Sequence, residues 1–185
     1  RSAQGKVEEA EASLREVRVR SPRSDALSEA LLEMGCELMR QGNLQQAIGA
    51  YTDVVAFTTQ VEPVGRREED TVPSSWARRR AQYNAHTRTV AQRAEMERVA
   101  RFDLAVCHDM AGNRAEALRA YERFVHRFPN DSRVPQAYFR MGVVARTMGR
   151  LEDAVEDFTH VWQAEATPAV FRAASIYQTG LCLEA

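Results

Sequence analysis

The sequence is poor in several things that would each announce a function. Lysine is almost missing: of 25 basic residues only Lys6 is one, and the rest are arginine. There are three cysteines, Cys36, Cys107 and Cys182, with no CxxC pair. An odd number inside apolar helical patterns argues against a disulfide framework and for buried thiols. Apolar runs fall far short of the ~18 residues that a membrane span requires, and no charged-then-apolar leader opens the sequence. It starts at Arg1 rather than Met, so it reads as an internal fragment or processed form. The formal net charge is -1 and the pI about 6.5, so nothing global draws the chain to nucleic acid or an anionic membrane. His86, His108, His126 and His160 have no partners at metal-ligand spacing, and HExxH, glycine-rich phosphate-loop and serine-elbow motifs are absent. No metal, cofactor or catalytic residue is therefore expected. Cys107-His108-Asp109 resembles a relay in writing only. Consecutive helical side chains point about 100° apart, which predicts Cys107 in the core and Asp109 exposed.

What is present is 44% apolar residues, enough for one core or a row of small ones. From Asn113 to Trp162 one helical pattern occurs twice. Ala117, Leu118, Tyr121, Phe124 and Val125 form an apolar stripe, and Ala154, Val155, Phe158, Val161 and Trp162 repeat its phase 37 residues later. Gly5, Gly42, Gly112 and Gly149 each stand five residues before an alanine, at steps of 37, 70 and 37. Each marks a left-handed helix end followed by a second helix. Met34-Gly35, Met141-Gly142, Thr179-Gly180 and Leu104-Ala105 place a small residue in the preceding first helices, where a neighbouring helix can approach closely. Asn43, Asn113 (with Glu116 at the capping-box position) and Thr167-Pro168 are the expected N-caps. Recurring helical hairpins at a fixed period predict an all-α stack.

The order of these residues resembles the tetratricopeptide repeat family. Tyr138, Met141, Gly142, Gly149, Ala154 and Phe158 match one unit, and Leu31, Met34, Gly35, Leu38, Gly42, Ala47 and Tyr51 another; Arg101 and His108 depart from the pattern in the third. The resemblance implies a right-handed superhelical solenoid of helix-turn-helix hairpins. The 37-residue step, with Phe128-Pro129-Asn130-Asp131 ending one repeat and Val134-Pro135 beginning the next, is similar to the repeats of bacterial envelope proteins, the outer-membrane assembly lipoproteins and Tol-Pal-associated proteins. The array is expected over residues 1–59 and 98–185, with a charged loop and helical insertion at 60–97. From Ser75 to Ala111 there is neither proline nor glycine, which predicts one long helix or two broken near Glu97.

The resemblance further implies a non-catalytic scaffold that holds a partner helix or peptide in a concave groove lined by the first helices. Carried onto this chain, the groove positions are Leu32, Phe102, Phe139 and Tyr177, with Cys36, Val106, Val143 and Leu181 one turn on. They lack the Lys and Asn with which chaperone-binding members clamp a carboxylate. A secondary site for an acidic partner is Arg78, Arg79 and Arg80, since residues 63–101 hold nine arginines against five acids. The resemblance places the protein in a larger complex of the bacterial envelope or periplasm. The alternative is a cytoplasmic regulatory or motility adaptor acting through the arginines.

Overall fold

The computed structural model describes residues 25–60, 76–164 and 167–184. The half repeat around Gly5 and Ala10 and the loop at 61–75 lie outside the described residues. Within them the regular structure is helical: α1 Asp25–Arg40, α2 Leu44–Gln60, α3 Trp76–Met110, α4 Arg114–Arg127, α5 Val134–Thr147, α6 Leu151–Gln163 and α7 Ala169–Leu183. The fold is an all-α helical repeat solenoid.

Three turns are built alike. Gly42, Gly112 and Gly149 have φ of 78°, 74° and 75°, a conformation in which a Cβ crowds the following carbonyl. Their N–H groups donate to the carbonyls of Met39, Asp109 and Arg146. The N–H of the next residue donates to Leu38, His108 and Ala145, which completes the paired closure of a helix end. That next residue, Asn43, Asn113 or Arg150, then accepts from the N–H of Ala47, Ala117 or Ala154. One residue thus closes a helix with its N–H and opens the following helix with its C=O. The five-residue offset from glycine to alanine follows from that double use.

The side-chain caps expected at Asn113 and Thr167 are not formed. Asn113 makes no cap hydrogen bond, and its ψ of 66° lies outside the extended region from which an N-cap side chain reaches the first-turn amides. Glu116 pairs with Arg119 at 2.8 Å instead. The Asn43 amide donates to the Gln41 side chain at 3.4 Å. The N-cap of α7 is Pro168 rather than Thr167, again without a side-chain bond.

Between the repeats, the connection at Asp131 is ordered by a buried carboxylate. Its Oδ1 accepts from the Arg133 backbone N–H at 2.8 Å and from the Arg133 Nε at 3.0 Å. The Arg133 guanidinium in turn lies 5.0 Å over Phe102 and 5.4 Å over Phe124.

Within a hairpin the helices meet through a ring in a notch. A Cβ on Gly35 would stand 2.8 Å from the Tyr51 ring, and one on Gly142 2.7 Å from Phe158. Both pairs are separated by 16 residues, as are Ala105 and Tyr121 in the third hairpin, where alanine replaces the glycine. These side chains are fully buried, and burying a Phe stabilises by roughly 1.5–3 kcal/mol relative to exposure.

The chain divides into two compact units at Ala100–Arg101. In the first, α1 packs on α2 around Leu31, Leu38, Ala47, Tyr51 and Val54. Helix α3 joins them through Arg93, which is bidentate to Asp25 at 2.6 and 3.2 Å and lies 5.7 Å over Phe57. In the second, the last turns of α3 pack Phe102 and Ala105 against α4 and α5, and Ala145, Ala154, Phe158 and Cys182 continue the core through α6 and α7. Helix α3 runs unbroken through Glu97, one long helix rather than two broken there.

Three residues sit differently from expectation. Cys36 is exposed rather than buried, because it follows notch residue Gly35 and the helical step turns it off the packed face. Asp109 is not free on the surface but holds Arg140 of α5 at 3.0 Å. Trp162 ends the α6 stripe exposed.

Candidate protein-binding surfaces

The groove positions differ in what they offer. In the first unit Leu32 is half-buried and Cys36 exposed on α1. In the second, Phe102 is taken into the core, edge-on to Tyr121 and Phe124 at 6.1 and 5.2 Å, and Val106 packs against the same cluster. A residue so covered is unavailable to a partner. Phe139 is half-buried, its ring 5.7 Å from Phe158 and 5.8 Å from Phe171, with Val143 against the same cluster. Tyr177 on α7 is 66% exposed, and Val170, Ile176 and Leu183 of the same helix are more than half exposed as well. Arg78, Arg79 and Arg80 lie on α3, and their side chains fall outside the described residues.

A second feature is a cavity of about 280 Å³ bounded by α4, α5 and α6. Leu118, Met141 and Ala145 give it apolar walls, and Glu122, Asp153, Glu156 and Asp157 bring four carboxylates. Tyr138 and His160 close it with rings stacked 4.6 Å apart. Arg150, also at the cavity, donates to Asp153 at 2.5 Å. Burial pushes the Asp157 carboxyl up to about 7, with Glu156, Asp153 and Glu122 adding to the rise and Arg150 opposing it. Burial, with Asp157 and Glu156, also raises the Tyr138 hydroxyl. Apart from the histidine, these residues are not among the positions expected from sequence to carry function. The signal for the cavity was the set Asp153, Glu156, Asp157 and His160, whose i, i+3, i+4, i+7 spacing puts all four on one helical face.

Burial raises the Tyr121 hydroxyl beside Arg140 and Asp109, and burial lowers the His108 imidazole against the opposing effect of Glu116. Among the described residues no group of His, Cys, Asp and Glu is placed to hold a metal ion, and no helix is long and apolar enough to cross a membrane.

Comparison with known proteins agrees with this geometry in the second unit. No curated protein matches the chain. Residues 99–131 and residues 135–165 each match the tetratricopeptide repeat family; the first match covers the last turns of α3 with α4, the second α5 with α6. Residues 99–165 of this chain thus match two tetratricopeptide repeats in tandem.

Proposed function

We propose that the chain is a non-catalytic scaffold that holds a helix or extended segment of another protein along the apolar surface of its first helices, within an assembly of the bacterial envelope. The observation that carries the binding mode is α7, on which Val170, Ile176, Tyr177 and Leu183 are 58–78% exposed. Large apolar side chains in such number on one helix favour a protein contact over water. Phe171 of the same helix meets Phe139 of α5 edge-on, with ring centroids 5.8 Å apart. The envelope placement is supported by the 37-residue step and the Phe128–Pro135 connection described above.

Tyr177→Ala tests the binding mode. Being exposed, Tyr177 should be removable with little change in melting temperature, while capture of the partner from envelope extracts falls at least tenfold, as for a central aromatic anchor. Fractionation of the full-length gene product tests the placement. If Tyr177→Ala and Phe139→Ala both retain the partner while deletion of residues 66–94 loses it, the arginine-bearing segment with Arg78, Arg79 and Arg80 is the site. A cytoplasmic location together with that result would favour the adaptor reading.

A further inference from the structure

We propose that the cavity between α4, α5 and α6 is a receptor for an arginine side chain presented by a basic segment of a partner protein, a site separate from the α7 surface. Its size, shape and chemistry lead to that ligand in steps. Sites that enclose whole small molecules run from roughly 300 Å³ upward, so about 280 Å³ suits the end of one long side chain. The apolar lining of Leu118, Met141 and Ala145 can cover a methylene stem. The head group that suits it is a cation, because Glu122, Asp153, Glu156 and Asp157 line the space and Arg150 is engaged by Asp153. A bare metal ion does not suit it, since among the described residues no set of donors converges to hold one. A planar guanidinium does: it can lie against the face of Tyr138, which is itself stacked on His160, while its separate N–H groups reach different carboxylates. An ammonium ion, compact and strongly hydrated, would satisfy fewer of them.

The cavity also shows an unmet demand for positive charge. Asp157 is faced by Glu122 from α4, by Tyr138 from α5, and by Asp153, Glu156 and His160 from α6, with Arg150 the one guanidinium among the lining groups. Burial, with Glu156, Asp153 and Glu122 beside it, holds its carboxyl up to about 7 against the opposing effect of Arg150. A bound guanidinium would draw the proton off, so binding should tighten from about pH 6 to pH 8.

The test uses a blocked peptide of alternating arginine and glycine, titrated calorimetrically into the whole chain at two salt concentrations. A matching lysine peptide serves as comparison. The paired change Glu156→Gln with Asp157→Asn should weaken the arginine peptide at least tenfold. The paired change Glu116→Gln with Glu152→Gln removes two carboxyl groups from exposed positions outside the cavity, and should alter affinity less than twofold. Circular dichroism establishes that each variant is folded. Shifts of the Tyr138 and His160 ring protons on adding peptide would place the guanidinium in the cavity. Equal weakening by both pairs, equal binding of the lysine peptide, or no measurable binding to the wild-type chain would each overturn the proposal.

Discussion

Gly142 and Gly149 stand on the same hairpin and are constrained for opposite reasons. At Gly142 the backbone is ordinary helix but the Phe158 ring occupies the place of a Cβ; at Gly149 space is open but φ is +75°. Gly142→Ala should therefore act through overpacking, about 1–3 kcal/mol, because Phe158 is fully buried and cannot swing away. Gly149→Ala should cost roughly 1–2 kcal/mol through backbone strain alone. Urea denaturation separates the two: adding Phe158→Leu should recover part of the loss in Gly142→Ala and none of the loss in Gly149→Ala. Both glycines were legible in the sequence, since left-handed turns and close helix approaches demand that residue type. The caps were not legible. Asn113 and Thr167 have the right chemistry for capping, but the choice between side-chain and backbone closure depends on dihedrals that residue type leaves open.

Helix α3 is the element whose role the sequence left between alternatives, because the 75–111 stretch carries no helix-breaking residue yet also no repeated stripe. One tie of this helix to the first unit is Arg93, reaching Asp25 of α1 and the Phe57 ring of α2. A long-range pair between residues 68 apart cannot be read from local spacing. Both side chains of the ion pair are about a quarter to a third exposed, so Arg93→Ala should cost on the order of 1–2 kcal/mol, lessened by salt. Hydrogen exchange should rise in α1 and α2 and remain unchanged in α5 and α6. If exchange rises equally in all helices, Arg93 does not hold one unit in particular.

At the scale of the whole molecule, stability should carry the mark of one carboxyl. Asp157 keeps its proton in the folded chain up to about pH 7, whereas in the unfolded chain it releases it near the ordinary value of about 4. Between those values the native state binds the additional proton, so this group's contribution to stability falls as pH rises through the window and levels off above it. Unfolding by urea at several pH values should show Asp157→Asn with a smaller loss between pH 5 and pH 8 than the wild type, and the variant should be the more stable at pH 8. An identical pH profile for the two proteins would mean that Asp157 is ionised throughout. The architecture was legible at this scale because its signal is periodic, whereas the acidic cavity arises from three helices whose mutual approach the period does not encode. The residue shared between two helices at Asn43, Asn113 and Arg150 also has a mechanical meaning. With no slack peptide between its two helices, a hairpin has no internal hinge, so a pulling force applied to the chain ends meets its first yielding points between hairpins. Stretched singly in an optical trap, the second unit should lengthen in discrete jumps, each releasing one 37-residue period, or about 120–130 Å of contour at ~3.3–3.6 Å per residue.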